Sequence, residues 1–281
     1  MSLANKTLFI TGGSRGIGLA IALRAAQDGA NVAIAAKTAE PHPKLPGTIF
    51  TAAKQIEQAG GNALPLMMDV RNAEAITEAV DSAAAHFGGI DICVNNASAI
   101  NLSGSLGMPV NRFDLLQQVN TRGTFLVSRA CVPHLLKRSN PHVLTLSPPL
   151  TLRADWFGSH LPYTLSKYGM SMVMLGMSAE FRAAGIAFNT LWPRTTIATA
   201  AVEFALGGKD MMRKSRLPQI MAHAAHSILC RPASQYTGQF VLDEDVLRTD
   251  GMNDFARYSC DPDAGLEIDL FVDPAGSTAR S

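Results

Sequence analysis

The chain has 281 residues, of which 47% are hydrophobic and 17% charged, and its formal net charge is +1. That length suits one large α/β domain or two small ones, and the composition is that of a soluble globular protein with a generous core. A charge so close to zero argues against nucleic-acid binding by bulk electrostatics, and no apolar run approaches the ~18 residues of a membrane-spanning helix. Cys93, Cys131, Cys230 and Cys260 are far apart and form no C-x-x-C pair, so neither zinc nor a disulfide framework is expected. Reduced thiols and an N-terminus that enters a strand almost at once point to the cytoplasm. The closing Ala279-Arg280-Ser281 is not a peroxisomal address of the S-K-L type.

The first element is a β-rich run, Lys6 to Thr11, and glycines follow it at once: Thr11-Gly12-Gly13-Ser14-Arg15-Gly16-Ile17-Gly18. A helical pattern opens at Ile17 and closes at Gly29. Strand, glycine loop and helix in that order form a phosphate cradle, because glycines let the backbone approach a pyrophosphate and the helix start offers free N–H groups. The second strand, Asn31 to Ala36, ends without the acidic residue that would bind an adenosine ribose 2′-hydroxyl. Ala36 and Lys37 stand there instead, and with Arg15 they favour NADP(H) over NAD(H).

Pro41, Pro43 and Pro46 predict an ordered loop from Glu40 to Gly47. Then come a helix Ile49–Ala59, a strand Ala63–Met68 leading into Asp69-Val70, a helix Ala73–Phe87, and a strand Ile90–Val94 leading into Asn95-Asn96-Ala97-Ser98. Strands alternating with helices of about 10–15 residues predict a parallel, doubly wound α/β sheet of the Rossmann type in a single domain. Asp69 and Asn95 fall at the carboxyl ends of strands, where such sheets bind ligands. Long helices are expected over Asp114–Leu136 and Tyr163–Ala184, with a strand His142–Leu146 between them.

The second of those helices opens on Tyr163-Thr164-Leu165-Ser166-Lys167. Residues four apart share a helix face, about 5–6 Å between Cβ atoms. An ammonium so placed favours phenolate over phenol, which should draw the tyrosine pKa down from about 10 and suit it to proton transfer with a carbonyl or alcohol.

Taken in order, T-G-G-S-R-G-I-G, D-V, N-N-A-S, the Val119-Asn120-Thr121 asparagine and Y-x-x-x-K resemble the short-chain dehydrogenase/reductase family over roughly residues 5 to 245. Within it, Thr38 to Ala53, Ser147-Pro148-Pro149-Leu150, Tyr168 to Met172 and Asp243 to Arg248 resemble the hydroxysteroid dehydrogenase-like protein 2 subgroup. The resemblance implies an NADP(H)-linked oxidoreductase acting on a small-molecule carbonyl/alcohol pair. Animal members of the subgroup carry a sterol-carrier domain and a peroxisomal signal. The sequence holds neither, so organelle and lipid carriage are not expected to transfer.

The resemblance also implies roles. Thr11, Gly12, Ser14, Arg15, Gly16, Ile17 and Gly18 match the pyrophosphate turn, Asp69 and Val70 the adenine contact, and Asn95, Asn96 and Ala97 the floor beneath the ribose. Pro193 and Thr195 match the nicotinamide side, Tyr163 the catalytic acid/base, Lys167 its ribose-binding partner, and Asn120 a proton-relay position. The family pairs its two long helices into homo-dimers or homo-tetramers. Two departures stand out. Pro148 occupies the register of the usual substrate-binding serine, leaving Ser147, 16 residues before Tyr163, as a displaced substitute. Arg194 replaces a glycine and could meet an acidic substrate or the pyrophosphate.

A substrate lid is expected over residues 197–228, rich in methionine and edged by Lys209, Arg213, Lys214 and Arg216, suited to an aliphatic or acyl-bearing substrate with an anionic group. His223 and His226 lack a third ligand and read as non-metal. Residues 1–260 then form the domain, and 261–281 a loosely packed extension. The rival to an enzyme is a non-catalytic, redox-reading NADP(H)-binding module, which the missing regular serine favours and the intact Tyr163–Lys167 pair opposes.

Overall fold

In a computed structural model, residues 2–42 and 45–273 are described; Pro43 of the predicted loop and positions 274–281 of the predicted extension lie outside them. Seven parallel strands form one sheet: β1 (Thr7–Thr11), β2 (Asn31–Ala36), β3 (Asn62–Met67), β4 (Ile92–Asn95), β5 (His142–Thr145), β6 (Ala187–Trp192) and β7 (Phe240–Leu242), in the order β3-β2-β1-β4-β5-β6-β7. The helices are α1 (Gly16–Ala26), α2 (Ile49–Gln58), α3 (Ala73–Phe87), α4 (Val110–Leu116), α5 (Gly123–Leu135), α6 (Ala154–Gly158), α7 (Leu161–Glu180), α8 (Ala200–Val202), α9 (Gly208–Arg213), α10 (Gln219–Cys230) and α11 (Asp243–Thr249). Among the described residues no helix is long and apolar enough to cross a membrane.

Central strands covered on both faces need near-continuous apolar runs. β1 and β4 meet this with every residue buried. Pro65 cannot donate to a ladder, and it sits on β3 at the sheet edge. Two cores flank the sheet. One joins Leu8, Ile34 and Val94 to α1, α2 and α10, and the other joins Phe9, Cys93 and Phe188 to α3, α5 and α7. Local chemistry fixes the helix ends. Asn72 Oδ1 accepts from the Ala75 N–H at 3.0 Å to open α3, and Gly88 at φ 75° closes it. The strand order reverses between β1 and β4, which opens a crevice at the carboxyl end of the sheet.

Three sequence expectations need correction here. The helix predicted over Asp114–Leu136 begins at Val110 and is broken by a π-helical turn, Gln117–Arg122. Asn120 explains the break. Its amide bonds Ala99 at both N and O, at 2.7 and 3.0 Å, and donates to Ser166 Oγ at 2.9 Å, so the chain takes one extra residue to aim it inward. Not all of residues 197–228 is free to serve as the expected lid: from Gln219 the chain is α10, whose Ile220, Met221, Ala225 and Ile228 are core residues against α1. The described part of the expected extension, residues 261–273, is not loose throughout, because Phe271 and Val272 are buried in a third cluster with Tyr163, Tyr168 and Trp192.

Candidate active site

A single cavity of about 600 Å³ runs along the carboxyl end of the sheet, from the glycine loop to Tyr163 and Lys167. Its first wall is the β1–α1 turn, where Gly12, Ser14, Arg15, Gly16 and Ile17 face the space. Gly12 sits at φ +67°, and a Cβ on Gly18 would lie 2.5 Å from Asn96 Nδ2 and 2.8 Å from the Gly12 carbonyl, so the turn closes only on glycine. Asn96 Nδ2 donates to the Thr11 and Gly12 carbonyls, both at 3.0 Å. Helix α1 starts without a side-chain cap, so its first N–H groups are available to an anion.

At the far end of this wall Ala36, Lys37, Asp69, Val70 and Arg71 line the space. Asp69 is chelated by the Arg71 guanidinium, Nη2 to Oδ2 at 2.6 Å, which with Lys37 nearby holds its carboxyl below the ordinary range. Arg15 donates through Nε to the Pro46 carbonyl at 2.8 Å and through Nη2 to Gly47 at 2.7 Å. Sequence reasoning missed this clasp, which seats the proline-rich loop on the glycine turn and brings Leu45 to the cavity.

The predicted residues divide between lining and scaffold. Gly12, Ser14, Arg15, Gly16, Ile17, Lys37, Asp69, Val70, Asn96, Ala97, Tyr163, Lys167 and Pro193 reach the cavity. Asn95 does not: its buried amide donates to Ser128 Oγ at 2.8 Å and Thr145 Oγ1 at 3.2 Å, tying β4 to α5 and β5. Thr11 Oγ1 accepts from the Asn96 and Ala97 N–H groups, each at 3.1 Å, and so shapes the floor from behind. Gly18 and Asn120 are likewise behind the lining. Thr195 is not among the lining residues; it is buried, with Oγ1 unpartnered.

Ser147 is placed otherwise than expected. Its hydroxyl accepts from Ser171 Oγ at 3.0 Å, inside the seam between the end of β5 and α7, and it is fully buried away from the cavity. The proline pair turns the chain there, and Ser171 also reaches the Pro148 carbonyl at 2.6 Å. Arg194 is displaced too: its guanidinium is held by Asp245 at 2.5 Å and lies 3.7 Å from Glu244, so it faces α11. The basic residues expected to edge a lid are largely spent on ion pairs, Lys214 with Asp210, Arg213 with Asp261 and buried Arg216 with Glu244.

Tyr163 and Lys167 are both buried. Lys167 donates to the Leu146 carbonyl at 2.7 Å and lies 4.9 Å from the centre of the Trp192 ring. Burial pushes this ammonium down to about 7. It pushes the Tyr163 phenol up from its ordinary value, and Asp269 adds to the rise. This reverses the expected lowering of the tyrosine, because desolvation in a shared pocket outweighs the attraction of a partner that is itself held near neutrality. Sequence reasoning also missed the aromatic wall: Phe271 stacks on Tyr163 at 6.2 Å between centroids and meets Trp192 at 5.9 Å and Tyr168 at 5.5 Å.

A parallel sheet of this order, a glycine cradle at its switch point and a buried Tyr–Lys pair at the other end of one cavity define a nucleotide-linked oxidoreductase. The family model for short chain dehydrogenases matches residues 6–205. The chain belongs to the short-chain dehydrogenase/reductase family. It is 58% identical over 271 residues to hydroxysteroid dehydrogenase-like protein 2 of Danio rerio, covering 96% of this chain and 65% of that protein. The human protein of the same name is 54% identical over 96% of this chain and 64% of its own length. The chain thus spans a little under two thirds of these relatives. The crystal structure of a short chain dehydrogenase from Mycobacterium thermoresistibile is 56% identical and superimposes with a TM-score of 0.92, covering 99% of this chain and all of the other.

Proposed function

We propose that this chain is an NADP(H)-dependent reductase of a carbonyl group on an aliphatic or acyl-bearing substrate. The observation that carries the reading is the continuity of the cavity, which joins the Gly12–Ile17 cradle to Tyr163 without a break. The residues fit a nicotinamide dinucleotide. The uncapped start of α1 suits a pyrophosphate, Ala36 leaves room where a carboxylate would oppose a 2′-phosphate, and Arg15 and Lys37 supply positive charge beside it. Bound there, the nicotinamide supplies or takes the hydride exchanged with the substrate carbon.

The chain's own residues handle the oxygen. Burial keeps the Tyr163 phenol protonated, so its proton is present to pass to the carbonyl oxygen once hydride arrival has made that oxygen strongly basic, and the product is the alcohol. Lys167 stands one helical turn along, held in place by its bond to the Leu146 carbonyl. Ile100, Leu115, Phe204 and Leu206 make the remaining wall apolar, which supports an aliphatic or acyl group.

The test is an NADPH-oxidation screen over ketones, aldehydes and 3-oxoacyl thioesters, followed by Tyr163→Phe on any substrate found. The variant keeps the ring against Phe271, so NADPH affinity and folding should hold while turnover falls by roughly 10² or more. Unchanged turnover would sink the proton-donor assignment. Tight NADPH binding with no turnover on any class would favour the redox-reading module instead.

A further inference from the structure

Three ionisable side chains that act on one another electrostatically line the cavity: Tyr163 and Lys167 from α7, and Asp269 from the C-terminal segment. Asp269 is far from the other two in sequence, yet its place is fixed from both sides. The Thr196 N–H donates to the Glu267 carbonyl at 3.0 Å, Ile268 bridges Thr195, and the Asp269 N–H donates to the Arg194 carbonyl at 3.1 Å. One residue on, the Leu270 carbonyl accepts from Trp192 Nε1 at 2.8 Å, and Phe271 is wedged among Tyr163, Tyr168 and Trp192. Five consecutive residues are therefore anchored to the segment that follows β6 or to the rings of the site. Asp269, one of the five, is half-buried and lines the cavity.

A carbonyl oxygen gaining negative charge in a dry pocket is stabilised by a second hydrogen-bond donor beside the proton donor. Ser147 does not provide it, being bonded to Ser171 behind the lining, and Pro148 has no donor. We propose that Asp269 is a catalytic residue of the carbonyl reduction, its protonated carboxyl donating a hydrogen bond to the same substrate oxygen that Tyr163 protonates. This rests on the reductase reading and gives that reaction its second donor. No bond to Asp269 forms or breaks: its proton stays on the carboxyl while the Tyr163 proton transfers.

The surroundings raise the protonated fraction of this carboxyl near neutrality. Burial pushes Asp269 up to about 7 and Asp243 at the start of α11 adds to this, while a hydrogen bond from the Leu270 N–H and the charge of Lys167 oppose it. The groups facing it are Tyr163 and Lys167 on α7 and Asp243 on α11, while the Arg194 guanidinium on the neighbouring segment is turned to Asp245. Asp269 and Lys167 both titrate near neutrality as a coupled pair, so the rate of reduction should fall as pH rises through that region.

The experiment compares the full chain with Asp269→Asn, Asp269→Leu and Tyr163→Phe, reading NADPH-dependent ketone reduction from mildly acid to mildly alkaline pH. Asp269→Leu should lower kcat roughly 10²-fold, the scale for losing one such donor, with NADPH affinity by fluorescence titration unchanged. Asp269→Asn retains an amide donor and should stay within about tenfold of the parent, with a shallower fall in rate as pH rises because one titrating group is gone. If both variants match the parent in kcat and pH profile while Tyr163→Phe is inactive, Asp269 has no such role and the reductase reading stands. If Tyr163→Phe turns over like the parent, or no ketone, aldehyde or 3-oxoacyl thioester is reduced at all, the reading fails and the proposal falls with it. Should Asp269→Leu not fold, as judged by thermal melting, the Asp269→Asn pH profile decides alone, and an unchanged profile overturns the assignment.

Discussion

The two ends of the cavity are built on different principles. The cradle end is local: Thr11 to Gly18 are consecutive, and what they offer a ligand is mostly backbone, shaped by glycine and braced by Asn96. The Tyr163 end is assembled from distant places, with α7, the end of β6 and the C-terminal segment each giving one or two side chains. Backbone recognition of a phosphate can be written in a short continuous stretch, because the binding atoms are the same in every residue. Recognition of a substrate needs particular side chains at particular points, and folding can draw those from anywhere. Changes at the cradle should therefore act on cofactor binding, and changes at the other end on turnover.

The largest effect at the cradle is expected from Gly18→Ala. Its methyl group would lie 2.8 Å from the Gly12 carbonyl and 2.5 Å from Asn96 Nδ2, so the turn must open. Overpacking of this kind costs about 2 kcal/mol, and taken from cofactor binding that is roughly a 30-fold rise in Kd. Isothermal titration with NADPH measures it. An unchanged Kd in a folded variant would mean that the turn is not the phosphate site, and the contrast between the two ends would lose its first half.

A smaller change sharpens the cofactor assignment. Ala36 lines the cavity at the end of β2 next to Lys37. We expect NADPH to bind at least about tenfold more tightly than NADH, or about 1.4 kcal/mol. Ala36→Asp should reverse that order, because its carboxylate would repel a 2′-phosphate and accept from a ribose hydroxyl. Fluorescence titration of both cofactors against both proteins decides the point. Equal affinities in the parent chain would remove Arg15 and Lys37 from this role.

This contrast also explains what could be read in the sequence. The parallel sheet, its strand–helix alternation, the glycine turn and the Tyr163–Lys167 pair were legible because each follows from a short pattern with a period or spacing of its own. What was not legible depended on the third dimension. Nothing in Glu267-Ile268-Asp269-Leu270-Phe271 distinguishes a surface tail from a wall of the site until Trp192 and Arg194 are seen to bind it. The π-helical turn at Asn120 has no sequence signature, since it answers to Ala99 and Ser166 on other segments. The Tyr163 titration was misjudged for a related reason: helical spacing shows the nearby ammonium, whereas the dominant influence is burial, which only the packed structure reveals.

The smallest expected effect is the one that tests whether the Tyr163 end is truly non-local. Sequence register makes Ser147 the nearest local substitute for a substrate-binding serine, and its place at the end of β5 would give the site a donor from its own neighbourhood. In the fold its hydroxyl is an acceptor for Ser171, which has a second and shorter bond to the Pro148 carbonyl. Ser147→Ala therefore removes one of the two oxygens that the Ser171 hydroxyl contacts, while its single proton keeps the shorter bond to the Pro148 carbonyl. The expected cost is about 1 kcal/mol of stability, seen as a small drop in Tm, with kcat within about threefold of the parent. Asp269→Leu in the same assay should cost far more. A Ser147→Ala loss as deep as that of Tyr163→Phe would show that the serine swings into the cavity during turnover. The substrate end would then be as local as the cradle, with Asp269 left to brace it.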